Sequence, residues 1–190
     1  FVTLFVILDP PGAAPIFLGL ASGKSVKEQR RLAWQAAAVS LFVIVSFALF
    51  GNAILDYLNI SLAALQGAGG ILLLITGLGL LTGSLTDSGS ATTQNIALVP
   101  LGTPLLAGPG AIVTTMLYVQ KSEGNDQLAA LAIAIFAVHF IIGFTFMFST
   151  KILSVIKDSG VELLARIAGL LLSAIAVEMI ISSIKAFFNI

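Results

Sequence analysis

Long apolar stretches alternate with short polar connections along the whole chain. Each stretch has about twenty residues or more, enough to cross a hydrocarbon core of about 30 Å at 1.5 Å per residue. The pattern predicts six membrane-spanning helices, over Phe1–Ser22, Leu32–Leu55, Ile60–Gly83, Asn95–Gln120, Leu128–Thr150 and Val161–Phe188. Because apolar residues start at Phe1, we expect the chain to begin inside its first span, with a short upstream piece missing.

The two halves of the chain resemble each other. At an offset of 98 residues, Pro11–Ala13 aligns with Pro109–Ala111, and the predicted spans of the two halves coincide. Because each half has three spans, the second half would enter the membrane from the opposite side, an arrangement typical of secondary transporters. We therefore predict an all-α membrane protein of two inverted three-helix repeats, residues 1–85 and 95–190, joined by a loop over 86–94.

The basic residues indicate an orientation in the membrane. The loops after the first and fifth spans carry most of the positive charge, and cytoplasmic loops are enriched in Lys and Arg. The opposite side has only Lys121 and Lys185. We therefore expect both chain termini outside the cytoplasm, and the richer loops inside it, with Lys24, Lys27, Arg30, Arg31, Lys151 and Lys157.

Composition supports a membrane protein and excludes some kinds of site. Of 190 residues, 58% are hydrophobic and 9% are charged, with a mean hydropathy of +1.08. Soluble domains carry about 25% charged residues, so a soluble helical bundle is disfavoured. The formal net charge is zero, which gives no electrostatic support for a nucleic-acid partner. The sequence has no cysteine, which excludes disulfides and thiolate metal sites, and we expect no cofactor.

Each repeat has helix-breaking residues near the middle of its first span, at Asp9–Pro11 in the first repeat and around Pro109–Ala111 in the second. Prolines remove backbone donors, and glycine permits unusual backbone angles. We expect half-helices to start near Gly12 and Gly110, pointing in opposite directions, with their N-termini facing each other near the midplane. Free N–H groups and the positive dipole end would suit a carboxylate or another anion. The alternative is that these prolines are ordinary kinks.

Asp9 is the most informative single residue. A charged carboxylate in the membrane costs about 3 kcal/mol or more, so we expect it to bind a proton or part of a substrate. The alternative is that it caps the half-helix near Gly12. The predicted substrate-binding residues, all at or near the two breaks, are Asp9, Pro11, Gly12, Ala13, Thr103, Gly108, Pro109, Gly110, Ala111 and Thr114.

Two further polar residues lie inside predicted spans. Glu178, in the sixth span, is predicted to join Asp9 in coupling to a proton or ion, unless it reaches the outer interface instead. His139 lies in the middle of the fifth span, where a hydrogen-bonded packing residue is the alternative to a proton relay. The competing function classes are an intramembrane enzyme using Asp9, His139 or Glu178, and an assembly component that transports nothing. We do not expect an enzyme.

The segments Ile7–Phe17 and Pro100–Thr115, together with Ala68–Leu73, resemble the MarC family of bacterial and archaeal cytoplasmic-membrane proteins. Two positions depart from the family pattern, because Asp-Pro-Ile-Gly-Asn is usual there and this chain has Pro11 in place of the isoleucine and Ala13 in place of the asparagine. The second difference removes a polar side chain beside the predicted site.

The resemblance implies a function. Similarity to SnatA-type neutral amino acid transporters, within a LysE-like superfamily, implies transport of small amino acids such as glycine or alanine. Coupling to a proton or sodium gradient and alternating access around a midplane site would follow. The expected partners are a small zwitterionic solute and the lipid bilayer, and a homo-oligomer is left open.

Overall fold

The computed structural model describes residues 1–21, 23–83 and 107–188, and every regular element in these ranges is a helix. The prediction of an all-α protein is confirmed for them. The predicted linker at 86–94 and the candidate site residue Thr103 lie outside the described residues. The helices are α1 (Val2–Leu8), α2 (Pro10–Leu20), α3 (Val26–Leu58), α4 (Leu62–Thr82), α5 (Pro109–Lys121), α6 (Asn125–Met147) and α7 (Ser149–Phe188).

Four helices in these ranges are long and apolar enough to cross a membrane: α3, α4, α6 and the Ser159–Phe188 part of α7. They correspond to the second, third, fifth and sixth predicted spans. The first predicted span is instead two shorter helices, α1 and α2, and the fourth is described only from Ala107 onward. Large apolar side chains on the outside, such as Phe42 and Leu170, are exposed as a lipid-facing surface requires.

Helix α3 begins at Val26, six residues before the predicted span. Ser25 and Glu28 form a capping box: the Glu28 N–H donates to Ser25 Oγ (3.3 Å), and the Ser25 N–H donates to the Glu28 carboxylate (2.9 Å). Hydrogen bonds from the Ser25 side chain and backbone lower the pKa of Glu28. The residues Lys27, Arg30 and Arg31 therefore lie on the first turns of α3, where the sequence predicted a loop.

The connection between the last two spans also differs from the prediction. A polar connection was expected between Thr150 and Val161, but α7 begins at Ser149 and is helical throughout that stretch. Phe148 is the junction, and its N–H still donates to the Phe144 carbonyl at 2.9 Å. The stretch contains no proline, and polar side chains can cover a helix surface as well as a loop.

Helices α4 and α7 pack against each other in opposite directions. Near one end, Ser183 Oγ donates to the Ala63 carbonyl at 2.7 Å. Toward the other end, a Cβ built on Gly77 would lie 2.8 Å from the carbonyl oxygen of Gly169 and 2.5 Å from Ser173 Oγ. Small residues at this interface let the two backbones approach closely.

The other two pairs of corresponding helices, α3 with α6 and α1 with α5, also run in opposite directions. Trp34, near the start of α3, lies against Phe144, near the end of α6, with ring centroids 5.7 Å apart. Tyr118, near the end of α5, donates to Thr3 Oγ1 of α1 at 3.0 Å. In each case, a span of one predicted repeat contacts the corresponding span of the other.

Helix α5 lies at the centre of the molecule and contributes to both hydrophobic clusters. Ala111 belongs to a cluster with residues of α1, α2, α3 and α6. Val113 and Leu117 belong to a second cluster with residues of α4 and α7. Seven of its thirteen residues are buried, so the helix that follows the second predicted break is enclosed by protein over much of its length.

Candidate functional site

The first predicted break is a sharp turn at Asp9. This residue has φ 39° and ψ 63°, a left-handed conformation that aspartate tolerates better than most residues. Its N–H donates to the Phe5 carbonyl at 3.0 Å, which closes α1. Its carbonyl accepts the Ala13 N–H at 3.0 Å, which opens α2. The predicted break in the first span is therefore confirmed, and Asp9 is the residue at which it occurs.

The N-terminus of α2 has no free backbone donor in the described structure. Pro10 and Pro11 have no N–H, and the Ala13 N–H is bonded to the backbone carbonyl of Asp9. The remaining donor, the Gly12 N–H, reaches Asp9 Oδ1 at 3.2 Å. The expectation of free donors at this half-helix is wrong, because two are absent and Asp9 takes the others. The alternative interpretation of Asp9 as a helix cap is confirmed.

Gly12 is required for this arrangement. A Cβ built at Gly12 would overlap the Asp9 carboxylate. Asp9, Pro11 and Gly12 are half-buried, whereas Ala13 on the next position is buried. The carboxylate is thus held against the backbone of α2, with only glycine small enough beneath it.

The second half-helix begins as predicted but is capped differently. Gly108 is the N-cap of α5 and supplies no side chain, and Pro109 has no N–H. The N–H groups of Ala111 and Ile112 both donate to the Gly108 carbonyl, at 3.0 and 3.2 Å. This leaves the Gly110 N–H without a partner among the described residues. Among the described residues, the start of α5 therefore has one unpaired donor at the positive end of its dipole.

Both breaks contribute residues to one hydrophobic cluster. Ala13 of α2 and Ala111 of α5, which the repeat alignment pairs, are both buried in the same hydrophobic cluster. Leu8 and Ala107, on the other side of each break, belong to it as well. Ala107 takes the position of Asp9 in the second repeat, so the acidic side chain is present in only one copy.

Thr114 lies one helical turn after Gly110 and is 5% exposed. Its hydroxyl lies 3.9 Å from the Met179 sulfur of α7, a weak acceptor. The sequence pointed to Thr114 but missed Met179, because a methionine in an apolar helix has no pattern that distinguishes it from other core residues.

The structure does not bring Glu178 to the two breaks. Glu178 is exposed on α7, whereas the adjacent Met179 faces the core. No ion pair or hydrogen bond to Glu178 occurs within the described ranges. Along the bundle axis, Glu178 lies at about the level of Gly70 in α4, because Gly70 packs against Ala176 and Ile180 on either side of Glu178. A role for Glu178 in coupling stays a prediction.

His139 is a buried hydrogen-bonded residue between α3 and α6. Its Nδ1 lies 2.8 Å from the Ile135 carbonyl, which can only accept, so Nδ1 donates. In the neutral ring, Nε2 then accepts the Ser40 hydroxyl at 3.0 Å. Both side chains are almost fully buried, at 2% and 0% exposure, and the sequence did not identify Ser40 as the partner. The arrangement matches the packing alternative for His139.

A cleft of about 320 Å³ opens at the end of the bundle opposite to the Lys24 loop. It lies between α1, α5 and α6, and Leu4 on its wall is one helical turn from Leu8 beside the first break. Its polar groups come from Tyr118, Lys121, Ser122 and Gln127. The cleft therefore lies at the water-facing end of the molecule, and its described lining includes no residue of either break.

These features define a multi-pass helical membrane protein in which one described membrane segment is interrupted, at Asp9. The family model described as "MarC family integral membrane protein" matches residues 1–188, and the chain belongs to this family. A UPF0056 membrane protein of Pyrococcus abyssi is 34% identical over 194 residues, covering 100% of this chain and 94% of the relative. One of Methanocaldococcus jannaschii is 35% identical over 192 residues, covering 97% and 94%.

The similarity extends to bacteria. The UPF0056 membrane protein YvbG of Bacillus subtilis is 32% identical over 199 residues, covering 100% of this chain and 94% of that protein. No solved structure matches the chain.

Proposed function

We propose that this protein is a secondary transporter of small neutral amino acids such as glycine and alanine, coupled to a proton or sodium gradient. The observation that carries the proposal is that each helix start contributes a residue, Ala13 or Ala111, to one buried hydrophobic cluster. Asp9 lies beside the first helix start, and beside the second the Gly110 N–H has no partner among the described residues. Exposed backbone at such depth is tolerated only where protein or a water-filled cavity covers it.

The two helix starts have different roles in this proposal. The carboxylate of the solute binds at the start of α5, where the Gly110 N–H is free and Thr114 follows one turn later. Asp9 takes the ammonium group of the solute or the coupling proton. Space for a short zwitterion is found beside Gly108, where an added Cβ would have no described atom within 4 Å.

Alternating access would move one three-helix repeat against the other. The proposal of inverted repeats is supported by the opposite directions of α4 and α7, of α3 and α6, and of α1 and α5. In secondary transporters of this kind, the substrate site lies between the repeats near the midplane. We place the protein in a cytoplasmic membrane with the Lys24 end inside and both termini outside.

An intramembrane enzyme is less well supported. A serine nucleophile next to histidine would be the natural candidate, and Ser40 Oγ lies 3.0 Å from His139 Nε2. Both side chains are enclosed by α3 and α6, and the other ring nitrogen bonds to a carbonyl instead of a carboxylate. A substrate would have no path to this serine.

The test is uptake of labelled glycine and alanine into proteoliposomes under an imposed proton or sodium gradient. The proposal expects gradient-driven uptake that Asp9→Asn greatly reduces, since the substitution removes the charge that binds the ammonium group or the proton. Asp56→Asn is the matched control, because Asp56 is exposed near the end of α3 and should leave uptake unchanged. Absence of uptake under either gradient would reject the proposal.

A further inference from the structure

In the part of the chain that the structure describes, three backbone carbonyls at the end of α1 have no donor. In an α-helix, the carbonyls of Val6, Ile7 and Leu8 would accept the N–H groups four residues later. Those positions are Pro10 and Pro11, which have no N–H, and Gly12, whose N–H is bonded to Asp9 Oδ1. No other donor reaches these three carbonyls within the described ranges.

The location makes these free acceptors unusual. Every α-helix ends with unpaired carbonyls, but water normally satisfies them. Here the helix end is followed by the eleven residues of α2, about 16 Å of helix, before the chain reaches the Lys24 loop. Unpaired backbone groups at that depth cost several kcal/mol each unless something binds them.

The groups at the end of α1 are all hydrogen-bond acceptors. Three carbonyl oxygens lie at the negative end of the α1 dipole, and the carboxylate of Asp9 is the next group along the chain. Asp9 Oδ1 is committed to the Gly12 N–H, and its second oxygen remains available to another donor. Val6, Ile7 and Asp9 are half-buried, and Leu8 is buried.

We propose that the end of α1 binds a small cation through the carbonyls of Val6, Ile7 and Leu8 and the carboxylate of Asp9. An ammonium group and a monovalent metal ion share the chemistry that fits this set, because each is satisfied by hard oxygen acceptors alone. An ammonium group has three N–H donors for them. The ammonium alternative rests on the proposed function, whereas the metal-ion alternative does not.

The two prolines are the cause of this site. Proline at positions 10 and 11 removes two donors that would otherwise pair with α1, which ends at the left-handed residue Asp9. Restoring an N–H at both positions should therefore fill the acceptors and compete with the cation.

The experiment measures thermal unfolding of the purified full chain in detergent. Glycine is compared with its N,N,N-trimethyl derivative, and sodium chloride with choline chloride at matched ionic strength. We expect stabilisation by glycine or by sodium, and none by the two quaternary ammonium compounds, which have no N–H. Stabilisation by glycine alone identifies the solute's ammonium group as the occupant, and stabilisation by sodium alone identifies the metal ion.

Variants test the assignment to this helix end. In the double variant Pro10→Ala with Pro11→Ala, the apparent affinity should fall about tenfold or more. Pro15→Ala is the matched control, since it restores an N–H within α2 that lies a turn beyond the α1 carbonyls. Should the double variant fail to fold, Asp9→Asn provides the second measurement, with the same direction of effect.

Two results would overturn the inference: equal stabilisation of wild type and of the Pro10, Pro11 and Asp9 variants, or no stabilisation by glycine or sodium. The transport proposal fails separately. Cation binding without any amino acid flux would reject the transport proposal and leave the cation site standing. Flux that accepts trimethylglycine as readily as glycine, with no effect of sodium, would reject the cation site and leave the transport proposal standing.

Discussion

The side chain of Asp9 accepts the backbone N–H of Gly12 at 3.2 Å and so closes the N-terminus of α2 inside the protein. The bond links the only acidic residue at either break to the glycine that aligns with Gly110 of α5. At α5 the N-cap Gly108 has no side chain, and the Gly110 N–H has no partner within the described ranges. The two similar sequences therefore produce helix starts that are capped in different ways.

Replacement of Asp9 separates its capping role from its charge. Asn tolerates a left-handed conformation and keeps an oxygen that can accept the Gly12 N–H. We expect Asp9→Asn to change the free energy of unfolding by less than about 0.5 kcal/mol, and Asp9→Ala to lower it by about 1–2 kcal/mol. Denaturant unfolding in detergent measures both. Equal stabilities of the two variants would show that the cap contributes little.

Gly12→Ala should disturb the same cap from the opposite side. The added Cβ would overlap the Asp9 carboxylate, which must leave its position. We expect a loss of about 1–3 kcal/mol in the free energy of unfolding. Gly124→Ala is the control, because Gly124 is also at a helix start but no described atom lies within 4 Å of its added Cβ. A Gly12 variant as stable as the Gly124 variant would contradict the described packing.

The elements that the sequence predicted well are those with a strong local signal. Apolar length identified α3, α4, α6 and the end of α7, and two adjacent prolines identified the break between α1 and α2. The boundaries were less accurate where polar residues are compatible with both helix and loop. At the start of α3, the capping box at Ser25 extends the helix through basic residues that were expected in a loop.

The chemistry of the breaks was predicted only in part. The sequence indicated that Asp9 is either a cap or a binding group, and only the backbone geometry shows that it bonds to Gly12. The pairing of Ser40 with His139 joins residues 99 positions apart, and it depends on how α3 and α6 pack. Long-range contacts of this kind have no signature in a single sequence, and the same is true of Met179 beside Thr114.

Ser40→Ala should destabilise the protein without affecting transport. The substitution removes the hydroxyl that bonds to His139 Nε2 and leaves a buried ring nitrogen without a partner. We expect a cost of about 1–3 kcal/mol in the free energy of unfolding, with unchanged glycine uptake per folded molecule. A cycle with His139→Leu measures the coupling between the two side chains. Loss of uptake in folded Ser40→Ala would assign this pair a functional role.

The interface between α4 and α7 should be sensitive to side-chain size. Gly77→Val would place methyl groups against the Gly169 carbonyl and Ser173, and we expect a loss of about 1–3 kcal/mol. Ala68→Val is the control on the same helix, since Ala68 is exposed. Thermal unfolding of the two variants compares them directly, and equal midpoints would show that the α4–α7 contact tolerates larger residues.

Cysteine labelling can show directly whether a solute binds between the two breaks. The sequence has no cysteine, so Gly108→Cys and Gly124→Cys each introduce a single thiol. Both glycines are helix N-caps with no described atom within 4 Å of an added Cβ, but only Gly108 lies beside the proposed site. A small water-soluble thiol reagent should label both variants in proteoliposomes, and saturating glycine or alanine should slow labelling of Gly108→Cys alone. Two results would contradict solute binding between the two breaks. One is labelling of Gly108→Cys at the same rate with and without either amino acid, and the other is no labelling of Gly108→Cys while Gly124→Cys reacts.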